Sequence, residues 1–173
     1  AARALELPEG YETEINLAAR AFVASVGRVL ERGVLLLVGY GFPAREYYHP
    51  QRARGTLMCH YRHHAHDDPL VLAGLQDITT HVDFTAVASA GVAAGLSVLG
   101  FATQAQFLIN TGIIDLIGET PARDTRAYAP LAAEVQKLTS PAEMGELFKV
   151  MALGRGVSQP LIGFSRGDRT HTL

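Results

Sequence analysis

Cysteine is almost missing from this 173-residue chain. Cys59 stands alone, which excludes an internal disulfide framework and fits a reducing compartment. Positive charge is not in excess either: the net charge is −2 and the pI near 6.4. No surplus of cations is on hand to neutralise phosphates, which argues against a nucleic-acid binder. The longest purely aliphatic run, Val34 to Val38, is far short of the roughly 20 residues of a bilayer-spanning helix. No basic stretch leads into an apolar segment at the start, so no secretory leader is expected. Among the seventeen glycines there is no G-x-G-x-x-G and no phosphate loop ending in Lys-Ser/Thr. Repeats and low-complexity tracts are absent as well. What is present is apolar: 48% hydrophobic against 18% charged residues excludes general disorder. The size suits one domain or part-domain over residues 1–173. The first residue is Ala1 and not Met, so the chain is expected to begin inside a longer gene product.

The pattern alternates between helices and strands. Residues 1–13, with Pro8 and Gly10, read as a strand or extended lead-in. Asn16 is a good N-cap, and the apolar positions Ala19, Phe22, Val26, Val29 and Leu30 then recur at helical spacing. Gly33 ends that helix. Val34-Leu35-Leu36-Leu37-Val38 is apolar on both faces, which predicts a central parallel strand covered on both sides. From 44 to 80 the periodicity fails, apart from a short strand at 56–61. Asp83 can cap a helix over 84–94 that Gly95 closes, and 96–101 reads as a strand, making a right-handed crossover from 34–38. Helical segments follow at 104–117 and 126–138. Ser140-Pro141-Ala142-Glu143 combines an N-cap, a proline at the first helical position and a reciprocal glutamate. Strands at 148–153 and 161–164 complete an α/β domain. In such sheets ligands bind beyond the carboxyl ends of the strands, and the segment after Val38 leaves from that end.

That segment holds six of the seven histidines: His49, His60, His63, His64, His66 and His81. It also holds Asp67, Asp68, Asp77 and Asp83. Imidazoles and carboxylates can ligate metals, yet the spacing matches no defined ligand set, and a polar or substrate-facing loop is the better reading. Arg45, Arg52, Arg54 and Arg62 against Glu46 give residues 44–66 a local excess of three positive charges. Such a lip can steer an anionic ligand or an acidic surface, or the arginines can make surface pairs. Asp77, His81 and Asp83 could arrange general acid–base chemistry just before a helix. A helix cap is the simpler role for Asp83, whereas Asp77 and His81 stay open between turn and catalysis. Cys59 reads as a buried, inert thiol, and Arg166-Gly167-Asp168 as a chance tripeptide.

A specific likeness runs through these residues. Leu7-Pro8-Glu9-Gly10-Tyr11, Glu14-Ile15-Asn16 and Gly33 through Gly41 are its first part. Glu46-Tyr47-Tyr48-His49-Pro50, Gly55 through Arg62 and Ala65 through Pro69 follow, then Gly74 through Thr79, His81 through Thr85 and Met144 through Val150. In this order the chain resembles the second half of the MidA-like family of S-adenosylmethionine-dependent methyltransferases. The resemblance implies the C-terminal half of a class I Rossmann-like methyltransferase fold with extra helices. Residues 34–38 would be its fifth strand, 96–101 its sixth and 148–153 its antiparallel seventh. The cofactor fingerprint of such enzymes would lie upstream, so no cofactor-binding residue is assigned here. Where the family usually has Asp-Tyr-Gly, this chain has Gly39-Tyr40-Gly41. A carboxylate there could orient a cationic substrate or a loop amide, so either activity is altered or the contact was structural.

The function implied is methyl transfer from S-adenosylmethionine to a protein arginine. The mitochondrial branch of the family acts on a respiratory complex I subunit. The chain would supply the substrate-side half, inactive alone, in a bacterial cytoplasm or, if eukaryotic, a mitochondrial matrix. Asp77, His81 and Asp83 are the catalytic candidates, because an arginine must be oriented and deprotonated. Gly39, Tyr40, Gly41, His60, Tyr61 and Arg62 are the substrate-binding candidates. No metal, nucleic acid or membrane partner is expected, and self-association is, because an uncovered strand edge invites pairing. The alternatives are a non-catalytic interaction module that keeps the fold, and a metal-dependent hydrolase built on the His/Asp loop.

Overall fold

Asn16 opens the first helix as its chemistry predicts: its side chain accepts from the Ala19 amide, and α1 runs Leu17–Val29. The computed structural model describes residues 7–173, so the first part of the expected extended lead-in lies outside the described residues. The buried stripe of α1 is not the one that the spacing suggests. Val23 and Gly27 face the core, whereas Phe22 and Val29 are 55% and 78% exposed. The reason is a close helix crossing. A Cβ on Gly27 would stand 2.6 Å from that of Ala94, at the end of α3 (Phe84–Ala93). Only the face carrying the glycine can approach so near.

The long strand β1 spans Gly33–Phe42. After it come the one-turn helix α2 (Ala44–Tyr47) and the short strands β2 (Met58–Tyr61), β3 (His64–His66), β4 (Asp77–Thr79) and β5 (Val82–Asp83). Then follow α3, β6 (Ser97–Thr103), α4 (Gln104–Asn110), α5 (Ile113–Gly118), α6 (Thr125–Thr139), α7 (Met144–Leu147) and β7 (Phe148–Arg155). The main sheet has the order β5-β1-β7-β6. β7 is antiparallel to both β1 and β6, and β5 is parallel to β1. Strands β1 and β6 are therefore not neighbours, because β7 inserts between them. The strand expected to be an antiparallel seventh is antiparallel to both its neighbours, and β1, expected to be parallel, is paired that way only at Gly41 and Phe42.

One face of the sheet carries the main core. Val23 of α1 and Phe84, Val87 and Ala88 of α3 pack against Phe101, Met151 and Leu153, with Leu35 and Leu37 of β1 joining them. The other face is covered only in part. Phe107 and Phe164 lie over Ala102, Val150 and Ala152, and Phe164 fits because Gly100 has no side chain: a Cβ there would be 2.2 Å from the ring. This layer stops at β7. On β1, Val34, Leu36 and Val38 share that face with Gly154, Ala152 and Val150 and remain 38%, 47% and 60% exposed. The expectation of cover on both faces is thus met on one face alone. Among the described residues the second edge of β1 is paired only at Gly41 and Phe42.

Three other expectations need correction. The segment 44–80 holds more than the one strand expected at 56–61: β2 answers to it, and β3 and β4 pair on its two sides as a second sheet in the order β3-β2-β4. Period-two strands of three residues, such as β3 and β4, are too short to show as a pattern. The helix expected from Ser140 is a single turn, and Glu143, not Ser140, precedes it. The Ser140 carbonyl takes the amides of both Glu143 and Gly145, which folds the chain into a tight turn leading straight into β7. The segment 161–164 is a 3-10 turn, wedged where Gly163 leaves no room for a Cβ against the Phe107 ring, 2.2 Å away. The tripeptide 166–168 is locked in the fold, since Asp168 accepts from the amides of Phe101 and Thr170.

Candidate functional site

The C-terminal end of β1 meets the small sheet across an open cleft. Tyr40, Arg52, Met58, His60, Thr79, His81 and Phe148 are among its walls. Two devices set its shape. At the strand end Gly41 lies opposite Val82, and a Cβ there would run into the Val82 backbone at 2.1 Å. Gly41 is thus required by the parallel pairing of β1 with β5, which brings His81 beside the β1 aromatics. Gly55 has φ +74° and admits the Glu14 carboxylate beneath it, where a Cβ would be 2.3 Å from Oε1. Glu14 accepts from the amides of Thr56 (2.8 Å) and Leu57 (2.6 Å) and from the Thr56 hydroxyl (3.3 Å). The Tyr47 hydroxyl donates to it at 3.4 Å. Glu14 therefore anchors the small sheet to the start of α1. No spacing rule marks it, because its partners are 42 and 43 residues away.

His81 is the centre of the floor. Its imidazole stacks on Phe42 (5.2 Å between centroids, 14° between planes) and meets the Tyr40 ring edge-on at 5.2 Å. Its amide donates to the Thr56 hydroxyl at 3.0 Å. Nδ1 is buried without a partner among the described residues. Burial pushes the imidazole below its ordinary pKa, and the positive charges of Arg52 and Lys149 act in the same direction. Glu14 and the Thr56 backbone pull the other way without reversing the shift. The result is a ring held neutral near pH 7. Lys149 lies opposite Gly39 in the ladder, is 3% exposed, and donates to the carbonyls of Glu146 and Leu147. Burial lowers its pKa.

The cleft gathers Tyr40, His60 and His81 from the residues the sequence singles out. Met58 and His60 share their sheet face with Thr79 and Asp77 in register, so Asp77 stands on the cleft-facing side and is exposed. Neither ion pair among the described residues involves it. Asp83 is committed elsewhere. Its Oδ1 caps α3 by accepting from the Ala86 amide at 3.0 Å, and its Oδ2 accepts from the Tyr48 hydroxyl at 3.1 Å. Burial and that carboxylate push the Tyr48 phenol up to about 12. Gly39 has room for a side chain: a Cβ there would meet only the Val82 side chain, at an ordinary contact distance of 3.4 Å. Tyr61 and Arg62 belong to the far end of the β2–β3 hairpin and do not line the cleft. Arg62 and His63 both adopt left-handed backbone, φ +48° and +68°, as a two-residue hairpin turn requires.

The histidines are dispersed. His49 accepts from the Gln51 amide. His64 and His66 pair with Tyr61 and Cys59, which puts them on the sheet face opposite His60. Among the described residues no three His, Cys, Asp or Glu side chains converge on a point that could hold a metal ion. Cys59 is buried, and burial together with Asp68 and Asp67 raises its thiol pKa, as expected of an inert cysteine. Among the described residues no helix is long and apolar enough to cross a membrane.

Comparisons with known proteins agree with this geometry. Residues 1–102 match the model of a family described as "Putative S-adenosyl-L-methionine-dependent methyltransferase". A crystal structure of an uncharacterized protein from Burkholderia thailandensis is 55% identical and superposes with a TM-score of 0.96, covering 100% of this chain and 47% of that one. A second structure from that organism, bound to S-adenosyl-homocysteine, is also 55% identical, with a TM-score of 0.95 over 99% of this chain and 44% of the other. This chain therefore spans less than half the length of these solved relatives. No functionally curated protein matches it. With more than half of its residues matched by the family model and two solved relatives at this identity, the chain belongs to that methyltransferase family.

Proposed function

We propose that this chain forms the substrate-side wall of an S-adenosylmethionine-dependent methyltransferase acting on a protein arginine, for which a respiratory complex I subunit is one candidate acceptor. The cofactor is the methyl donor, and the relative with S-adenosyl-homocysteine bound supports it. The residues of this chain do not fit the cofactor themselves. They contain no glycine-rich loop, and the carboxylates of Glu14 and Asp83, which share a small pocket with His81, are occupied by amides and tyrosines.

What the chain contributes is a place for the methyl acceptor. The cleft opens where β1 and β5 end, as ligand sites in α/β sheets do. Tyr40, Phe148 and His81 line it with aromatic rings. The single observation that carries the reading is the neutral, half-buried imidazole of His81 on that floor. An acceptor nitrogen must lose a proton as it gains a methyl group, and a neutral imidazole can receive it. Asp77 is the carboxylate of the original set still free to orient the acceptor, while Asp83 serves the fold.

The test is His81→Gln in the whole protein, with labelled methyl transfer and S-adenosyl-homocysteine binding measured together. Turnover should fall by about 100-fold or more, with cofactor-product affinity unchanged. Unchanged turnover would remove His81 from this role.

A further inference from the structure

Arg52 is the group in the cleft whose hydrogen-bonding capacity the fold leaves largely unused. It ends the 3-10 turn Pro50–Arg52, and its guanidinium carbon lies 4.0 Å from the centre of the Phe42 ring, on which His81 also stacks. One N–H donates to the Glu46 carbonyl. The remaining N–H groups have no acceptor among the described residues. The two ion pairs among those residues use Arg54 and Arg169 instead.

Among the described residues no carboxylate forms an ion pair with Arg52, not even that of Glu46, whose carbonyl it uses and whose charge acts on Lys149. Glu14 already takes four donors, Asp83 takes two, and Asp77 forms no ion pair with it. Lys149, with its ammonium 5.5 Å from the same ring, adds a second positive charge. Other arginines of the chain show what spent ones look like: Arg155 donates to the carbonyls of Leu30, Ala94 and Gly95. A guanidinium fixed by a ring and one carbonyl loses little freedom on binding. Its free edge suits a planar, two-oxygen acceptor.

We propose that Arg52 is a carboxylate-recognition residue, so that the ligand entering this cleft presents an acidic side chain. On the reading of the cleft as the substrate side of a methyltransferase, the protein substrate carries Asp or Glu close to its methyl acceptor. Neither Arg62 nor the dispersed histidines offer this combination of fixed geometry and open donors.

The experiment is an NMR titration of the whole protein with the blocked peptide acetyl-Gly-Glu-Gly-amide, beside acetyl-Gly-Gln-Gly-amide and free glutarate. The glutamate peptide should shift the Arg52 Nε–H and the amides of Tyr40 and His81 saturably. The glutamine peptide should bind at least about tenfold more weakly, because it offers only one acceptor oxygen and no charge. Arg52→Gln should erase that preference, and Arg52→Lys should keep only part of it. Should the glutamine variant fail to fold, the lysine variant still decides, because an undiminished preference there overturns the bidentate contact. Equal binding of the two peptides, or a preference that survives Arg52→Gln, overturns the proposal. Glutarate binding as tightly as the glutamate peptide overturns the assignment to a protein side chain. The readout needs no methyl transfer, so an inactive protein that still prefers glutamate would sink the methyltransferase reading and leave this one standing.

Discussion

The half-covered sheet leads to a quantitative expectation about association. Val34, Leu36 and Val38 lie on one face of β1 beside an edge whose ladder partners, among the described residues, are confined to Gly41 and Phe42. Burying an aliphatic side chain is worth about 2 kcal/mol. Covering what is still exposed of these three is therefore worth about 3 kcal/mol, before any ladder hydrogen bonds form. That corresponds to an association constant about 100-fold higher than for a polar face. Leu36→Lys with Val38→Lys removes most of this gain and places charges beside the open edge, a device that natural sheets use against pairing. Both positions are exposed, so folding should suffer by less than about 1 kcal/mol. Sedimentation velocity over a concentration series reads the result. The unmodified chain should associate at tens of micromolar, and the double variant should need about 100-fold more protein. Phe22→Lys on the outer face of α1, at a similar exposure of 55%, is the control and should change little. A monomeric, cooperatively unfolding chain, or a double variant with an unchanged association constant, would refute the reasoning.

Two further outcomes follow from the site. Glu14→Gln replaces a charged acceptor of two backbone amides by a weaker one that also carries donors, and should cost about 2 kcal/mol in chemical denaturation. An unaltered midpoint would mean that the small sheet is held by something else. The lowered pKa of His81 makes stability depend on pH: the unfolded imidazole titrates near 6.5, so below that pH the unfolded state binds the proton first. Stability should therefore fall as the pH drops from about 6.5 towards the lower folded value. His81→Gln should flatten that slope, and a measured His81 pKa above 6.5 would contradict the burial argument.

Much of the local structure is legible in the sequence because its causes are local. Asn16 and Asp83 cap their helices through side chains that reach only three residues ahead. Gly95 closes α3 with φ +80°, a conformation that glycine adopts freely. The aliphatic run after Gly33 is a strand as expected, although its long ladder is the antiparallel one with β7. Part of the polar segment after β1 lines the cleft at that strand's end.

What escaped the sequence depends on distance in space. The buried side of α1 is chosen by Gly27 against Ala94, and no periodicity in α1 reports what Ala94 needs. Glu14 and Lys149 look like any surface charges, and Arg52 like one of four arginines in a basic lip, until the fold brings them near Phe42 and His81. For Asp83 the cap on α3 is legible, but not the Tyr48 phenol, 35 residues away, that takes its other oxygen. Sequence alone determined the family, through its likeness, and those elements whose causes are local, because hydrophobic spacing and capping act over a few residues. Only the tertiary structure decided which charges are spent and which remain free, because hydrogen bonds and burial are settled by neighbours that the chain supplies from far along its length.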